Sequence, residues 1–157
     1  MASKSVAAVA LLSSWLGAAL LSVAVVAPAA FKVLPSRTMA GTMVGAVLPA
    51  VFYSGIIIPA VVLALVGGSL PKDSRVGAAA SGLMTVLGCV VSQFLITPRL
   101  DSLRAEIRGP VDALPIDDAR RVAFGLYHGY NVAGLGVAMI GASVCLGFLL
   151  FATRPRN

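Results

Sequence analysis

The stretch VAFGLYHGYNVAGLGVAMIGASVCLGFLLFAT, residues 122–153, contains no Asp, Glu, Lys or Arg in 32 consecutive positions. A bilayer core requires about 20 apolar residues per helix, so this stretch is long enough to cross a membrane. Three further uncharged runs of membrane-spanning length precede it, at residues 5–31, 38–71 and 76–98. The four runs occupy most of the 157 residues and leave no room for a separate soluble domain.

The composition agrees with a lipid environment, because 59% of the residues are hydrophobic and only 11% are charged, against about 25% charged in a soluble domain. The apolar runs are continuous and do not alternate, which favours helices over the strands of a barrel. We therefore predict an all-α integral membrane four-helix bundle that forms a single domain over residues 1–157. The predicted spans are about 6–28, 39–66, 76–97 and 120–152.

The link between the third and fourth predicted helices has an amphipathic pattern. In PRLDSLRAEIRG, residues 98–109, the apolar Leu100, Leu103 and Ile107 fall on one helical face and the charged side chains fall elsewhere. This spacing predicts a short amphipathic helix at the membrane interface.

The first apolar run has some features of a signal peptide, since Lys4 precedes it and APAA lies near its end. It is longer than the usual 7–15-residue core of a signal peptide. We therefore expect a retained helix.

The net charge of +6 comes from basic residues at the ends of the predicted helices, where Lys and Arg flank membrane spans. No basic run is interleaved with aromatic residues, so we expect no nucleic-acid partner. Seven basic residues lie on the side of the first and third links and five on the side of the termini, which by itself favours external termini. However, five acids offset the arginines of the third link and the first helix often sets orientation. We predict cytoplasmic termini.

Polar side chains inside the predicted spans mark a candidate site. The only histidine, His128, precedes Asn131 by three residues on the fourth helix, so the two side chains lie about 60° apart around its axis. On the third helix Gln93 ends a stripe of small and polar residues that we expect to face the bundle. These side chains, with Tyr53 of the second helix, predict a polar pocket one or two turns below the interface.

Glycines accompany this polar group. Gly125, Gly129 and Gly136 follow one face of the fourth helix, and Gly41 and Gly45 share a face of the second helix with Arg37. Glycine lets two membrane helices approach closely. We predict helix packing at these five positions.

Three roles for His128 remain open at this stage. It is a neutral group that hydrogen-bonds to another helix, a ligand- or proton-binding group, or a contact with a partner subunit. No acid lies in any span to orient a serine–histidine pair, so we predict no catalytic residues. One histidine and scattered methionines predict no metal site and no bound cofactor.

Three stretches resemble a known family. They are VVAPAAFKVLPSRTMAG (25–41), ITPRLDSLR (96–104) and RRVAFGLYHGYN (120–131). Their order is similar to that of the bacterial membrane proteins grouped as domain of unknown function 4149, also called transmembrane protein 205-like. The resemblance implies a four-helix protein of the bacterial cytoplasmic membrane, but no reaction. It implies that site residues, if there is a site, include Arg37, Pro98, Arg99, Arg104 and His128, at the membrane face between the first and third links.

The arginines of that face offer two interpretations beyond ordinary interface anchoring. Arg37, Arg99 and Arg121 together bind an anionic headgroup, or they pair with Asp101 and Asp118.

Our leading hypothesis for function is a non-enzymatic accessory or scaffold subunit that packs against a larger membrane complex or against itself. One alternative is a small-solute or ion carrier that uses the polar pocket around His128. A weaker similarity to anthrone-oxygenase-like membrane proteins supports the other alternative, a cofactor-binding or oxidoreductase-like protein. The expected partners are the lipid bilayer and other membrane subunits or further copies of the chain.

Overall fold

The computed structural model describes residues 3–152, and every long element in that range is a helix. The four helices are α1 (Ser3–Val33), α2 (Arg37–Val66), α3 (Lys72–Ile107) and α4 (Ala119–Ala152). A short 3₁₀ turn, Val111–Ala113, lies in the last link. All four helices are long and apolar enough to span a membrane, which indicates a multi-pass membrane protein and confirms the predicted all-α four-helix bundle.

The helices form a ring in which each contacts the next, and α4 closes the ring against α1. Contacts across the ring, between α2 and α4, are few. Links of three, five and eleven residues join the helices, and such short connections make consecutive helices antiparallel. The link at residues 34–36 and the link at residues 108–118 therefore meet at one end of the bundle.

Two helices extend beyond the predicted spans. The first continues past residue 28 to Val33, so most of the predicted first link is helical. The predicted amphipathic helix is present as Thr97–Ile107, but it continues α3 without a break. Leu100 is its buried residue, as the apolar face predicts. Arg154 and Arg156, which entered the prediction of orientation, lie outside the described residues.

Both extensions pass through a proline that follows a π-helical segment. The segments Ser22–Val26 and Val91–Ile96 end two residues before Pro28 and Pro98. Proline lacks the N–H of the helical hydrogen bond and its ring clashes with the carbonyl of residue i−4. A wider π turn relieves that clash and keeps the helix continuous. In α3 the hydroxyl of Thr97 also donates to the carbonyl of Ser92 at 2.9 Å.

The half of the bundle remote from these two links is closely packed, and we call it the packed half. Trp15 of α1 is buried and its Nε1–H donates to the carbonyl of Val51 at 2.9 Å. Next to it, Gly55 of α2 has no room for a side chain, because a Cβ would lie 2.5 Å from Sγ of Cys89. Three helices therefore meet here at close range.

The contact between α3 and α4 uses glycines on both helices. A Cβ on Gly88 would lie 2.7 Å from the carbonyl oxygen of Gly134, and one on Gly141 would lie 2.7 Å from the carbonyl oxygen of Ser81. The predicted inward stripe of α3 is buried as expected at Ala78, Ser81, Gly82, Thr85, Cys89 and Ser92, and only Gln93 is partly exposed.

The glycines that were predicted to pack helices do not lie at close helix contacts. A Cβ on Gly41, Gly125, Gly129 or Gly136 would meet no atom within 4 Å, so the predicted close approach within the chain is wrong at these four positions. At Gly45 the neighbour is the guanidinium of Arg104, 3.7 Å from the Cβ position, and not another backbone. At Gly41, Gly45 and Gly125 the helices separate around a cavity, whereas Gly129 and Gly136 do not line it.

Candidate functional site

A cavity of about 820 Å³ opens between the helices at the end of the bundle that carries the first and third links. The end of α1, the first turns of α2, the C-terminal part of α3, the third link and the first turns of α4 all line it. This is the membrane face at which the sequence resemblance places a site. Its charged and polar lining residues include Arg37, Gln93, Asp101, Arg104, Arg108, Asp112, Arg121, His128 and Asn131.

The inner end of the cavity carries polar atoms without partners. Oε1 of Gln93 and Oδ1 of Asn131 line it, are buried, and have no hydrogen-bond partner. Oγ of Ser92, next to Gln93 in the π segment of α3, is also buried and unpaired, but it lies against Gly134 of α4 and does not line the cavity. Asn131 as a whole residue is only 7% exposed. Because more than about nine in ten buried polar groups in folded proteins are paired, the two amide oxygens mark the inner end of the cavity as a surface that can accept hydrogen bonds.

His128 lies one turn from Asn131 and also lines the cavity. A second cavity of about 140 Å³, between α1, α2 and α4, is lined by the same two residues. The imidazole is exposed, and among residues 3–152 no group hydrogen-bonds to its ring. The predicted hydrogen bond from His128 to a neighbouring helix is therefore wrong within residues 3–152. The imidazole instead lines both cavities.

Arg104 crosses the cavity nearer its mouth. Its Nη1 donates to Oδ1 of Asp101 at 2.9 Å, and its guanidinium lies over the Phe124 ring, 5.5 Å from the centroid. The same guanidinium fills the space above Gly45. One side chain of α3 thus contacts both α2 and α4, and the glycine on α2 makes that reach possible.

The other arginines at the mouth are tied to the third link. Arg37 faces Asp112 with a 3.8 Å separation between Nε and Oδ2. Nη1 of Arg121 donates to the carbonyl oxygens of Leu114 at 2.6 Å and Asp112 at 3.4 Å. These contacts hold the link over the start of α4.

Asp118 begins α4 outside the cavity. Its Oδ1 accepts the backbone N–H of Arg120 at 2.9 Å, and its carboxylate pairs with the Arg120 guanidinium at 2.8 Å. The hydrogen bonds from the Arg120 side chain and backbone lower the pKa of Asp118 from 3.8 to about 2. A carboxylate at a helix N-terminus is stabilising in any case, so this is a structural cap.

Arg108 has an unusual backbone at the mouth of the cavity. Its φ of 52° and ψ of 25° are left-handed, and it is the only non-glycine residue with positive φ in the described range. That conformation is unfavourable for a residue with a Cβ, and glycine commonly occupies it after a helix. Here Gly109 follows one residue later, and Arg108 lines the cavity instead.

Three predicted site residues do not line the cavity, namely Tyr53, Pro98 and Arg99. Tyr53 is on the outer face of α2 and packs edge-on against Phe94, with ring centroids 5.9 Å apart. Arg99 is exposed, does not line the cavity and makes no ion pair among the described residues. The predicted ion-pair partners also differ, because Asp101 pairs with Arg104 and Asp118 with Arg120.

The sequence reasoning missed Asp112, Arg108 and Phe124 as lining residues. Asp112 lies in an irregular link, and no periodicity places a link residue against α2. Phe124 and Arg104 had a detectable signal, since an aromatic ring one turn below Arg121 on α4 can face a cation on a neighbouring helix. Among residues 3–152 no three His, Cys, Asp or Glu side chains are grouped as metal ligands.

Comparison with protein families gives a match over residues 10–109 to the family described as Domain of unknown function (DUF4149). The match covers 100 of 157 residues. The chain belongs to this DUF4149 family. Two of the three stretches on which the sequence resemblance rests fall inside the matched range, and the third, in α4 with His128 and Asn131, lies beyond it. No curated protein and no solved structure matches the chain.

Proposed function

We propose that this DUF4149 protein is a non-enzymatic membrane protein that binds a small polar or amphipathic molecule in the 820 Å³ cavity. The observation that carries the proposal is the pair of buried, unpaired amide oxygens at its inner end, Gln93 Oε1 and Asn131 Oδ1.

Leaving those atoms without hydrogen-bond partners has a cost in free energy. Each buried polar group without a partner costs about 1–3 kcal/mol, and the surrounding membrane offers no compensating water. A ligand with O–H or N–H donors removes this penalty when it binds. The terminal amides of Gln93 and Asn131 can also rotate to present their NH₂ groups, so the same site accommodates an acceptor.

The dimensions support a ligand of ordinary metabolite or headgroup size. Small-molecule sites have volumes of about 300–1,000 Å³, and the cavity falls within that range. Its lining supplies amides, an imidazole and guanidinium groups, which recognise and orient a molecule without reacting with it.

The experiment is native mass spectrometry of the purified protein, which records any bound molecule as a mass adduct. The variant Asn131→Leu removes one unpaired amide, and Thr85→Val is the matched control, a polar-to-apolar change at a buried position in the packed half. The proposal predicts an adduct on the wild type and on Thr85→Val that Asn131→Leu weakens. Equal adducts on all three proteins, or none on any, contradict it.

A carrier role extends the same proposal, because a bound solute must then also reach the opposite side of the membrane. The packed half closes that path in the present conformation, so transport requires the helices around Trp15 to separate. A change of His128→Ala that leaves folding and binding intact but abolishes flux into vesicles supports the carrier. Absence of flux in the wild type restricts the role to binding.

A second candidate is the accessory or scaffold subunit. Gly129 and Gly136 of α4 leave open space that no part of the described chain fills, and small-residue faces are typical docking sites between membrane helices. Extraction in a mild detergent followed by size analysis tests this candidate. Migration in a defined larger complex or homo-oligomer that Gly136→Leu disrupts supports it, and migration as a monomer contradicts it.

The proposed location is the bacterial cytoplasmic membrane with both termini in the cytoplasm. Three arginines on the side of the first and third links, Arg37, Arg104 and Arg120, are paired with carboxylates, which reduces the positive charge on that side and supports this orientation. Reporter fusions at each terminus that are active only in the cytoplasm test it, and activity on the external side contradicts it.

A further inference from the structure

We propose that the ligand of this cavity carries a phosphate group, and that Arg104 is the residue that binds it. This inference rests on the proposed function and names the chemical class of the molecule. It comes from the balance of charge around the cavity, the unused donors of Arg104 and the depth at which the unpaired amides lie.

The first step is the charge balance. Four guanidinium groups line the cavity, from Arg37, Arg104, Arg108 and Arg121, against the two carboxylates of Asp101 and Asp112. The lining therefore has a formal excess of two positive charges with His128 neutral. Near the low dielectric of a membrane such an excess favours an anion more strongly than it does in water.

The second step is the state of each cation, of which Arg108 is exposed at the mouth and has no ion pair among the described residues. Arg121 is committed to two carbonyl oxygens of the link, and Arg37 faces Asp112 at 3.8 Å. Arg104 has one acceptor, Oδ1 of Asp101, so its Nη2 and Nε donate to no described group. Its guanidinium lies over the Phe124 ring and beside Gly45.

The third step is the direction of the donors. The cations reach the cavity from α2, α3, the third link and α4. A single guanidinium can donate to both oxygens of a planar carboxylate from one side. A tetrahedral phosphate accepts hydrogen bonds from several sides. An arrangement of arginines around a space fits phosphate better.

The fourth step is depth. Phe124, which marks the level of the Arg104 guanidinium, and Asn131 are seven residues apart on α4, or about 10 Å along the helix at 1.5 Å per residue. Hydrogen bonds of about 3 Å at each end take up part of this distance, so one molecule that satisfies both levels has a phosphate at one end and a hydrogen-bonding group about 4–5 Å away. Esters of phosphate with a polyol have this chemistry, whether they are lipid headgroups or soluble metabolites.

The experiment measures binding of two probes that separate these sources. Glycerol 3-phosphate is the soluble probe, with glycerol as its uncharged control, and the readout is the shift in thermal unfolding temperature. Phosphatidylglycerol in nanodiscs is the lipid probe, with phosphatidylcholine as its control, and the readout is lipid retained in native mass spectra. The fluorescence of Trp15, the only tryptophan, checks that each variant is folded.

Three variants sharpen the result. Arg104→Gln removes the charge, and we expect it to weaken binding of the phosphate probe by about tenfold or more, as loss of a charge-assisted hydrogen bond does. Arg99→Gln is the matched control, because Arg99 is on the same helix but outside the cavity, and it leaves binding unchanged. Asp101→Asn removes the carboxylate that competes for Arg104 and tightens binding.

The outcomes separate the two proposals. Binding of either phosphate probe that Arg104→Gln weakens and Arg99→Gln does not supports the inference, and the probe that binds identifies the source. No binding of either probe, or equal binding to Arg104→Gln, overturns it. If Asn131→Leu still removes a native adduct in that case, the proposed function stands and only the phosphate is wrong.

Discussion

The two halves of this bundle use the same residue types for opposite purposes. In the packed half, Gly55, Gly88 and Gly141 lie where a Cβ would overlap an atom of the next helix. In the half that contains the cavity, Gly41 and Gly125 lie where a Cβ would meet nothing within 4 Å. Glycine brings helices together in the first half and widens the space between them in the second.

Polar residues differ in the same way between the halves. In the packed half the hydroxyl of Thr85 bonds to the carbonyl of Ser81 at 3.2 Å, and Trp15 bonds to Val51. In the other half the side-chain oxygens Gln93 Oε1 and Asn131 Oδ1 are buried and have no hydrogen-bond partner. A bundle designed only for stability would satisfy or remove such groups, so the difference indicates that one half maintains the fold and the other is available for binding.

The largest expected effect comes from a glycine of the packed half. In Gly141→Ala the new Cβ would lie 2.7 Å from a carbonyl oxygen and 2.9 Å from a backbone nitrogen of α3, so the helices must separate. We expect a loss of about 3 kcal/mol, at the upper end for overpacking. Unfolding in a denaturing detergent, followed by Trp15 fluorescence, measures it. Gly136→Ala, on the same helix in open space, should change stability by less than about 1 kcal/mol; similar losses in both would refute the distinction.

At the cavity, Asn131→Leu should raise the stability of the ligand-free protein by about 1 kcal/mol, because it removes an unpaired buried amide. The same unfolding assay measures the change. Thr85→Val removes a paired hydroxyl and should instead lower stability by about 0.5–1 kcal/mol. A loss of stability in Asn131→Leu would show that the amide has a structural partner, and the contrast between the halves would then fail.

The strained residue at the mouth gives a prediction of similar size. Arg108→Gly should stabilise the protein by about 1 kcal/mol, because glycine adopts the left-handed conformation without a steric penalty. Arg99→Gly, within the helix, should destabilise it by about the same amount. Changes of opposite sign in the free energy of unfolding of the two variants support the strained turn. Equal losses in both variants argue against it.

The smallest effect concerns pH. Because the pKa of Asp118 is lowered in the folded protein to about 2 from 3.8, its contribution to stability is present above about pH 4 and is lost as the pH falls towards 2. Asp118→Asn should flatten the pH dependence of unfolding in that window. Asp117→Asn, next to it but without an ion pair among the described residues, is the control. An unchanged slope in Asp118→Asn would contradict the cap.

The fold was predictable from sequence because its determinants are local and strong. Four uncharged runs specify four helices, and the 3.6-residue stripe of α3 correctly predicts its buried face. The helix ends were less predictable, since Pro28 and Pro98 would ordinarily end a helix. The π segments that carry the chain past them depend on the surrounding bundle as well as on the proline.

The site was predictable only in part. His128, Asn131 and Gln93 are predictable because they are polar residues in apolar spans. All three line the cavity. Tyr53 and Arg99 are polar residues that do not line the cavity, and no helical spacing related either of them to His128. The glycine faces failed since spacing shows where a neighbour can approach and not whether one does. Asp112 lies in a link, where no periodicity applies.

The unpaired amides are the proposed binding site, and an experimental structure in a lipid nanodisc tests this proposal most directly. We expect non-protein density larger than water within hydrogen-bond distance of Gln93 Oε1 and Asn131 Oδ1, extending towards Arg104. If that structure shows only ordered water at the amides, or helices closed over the cavity with both amides bonded to protein, the proposal is wrong.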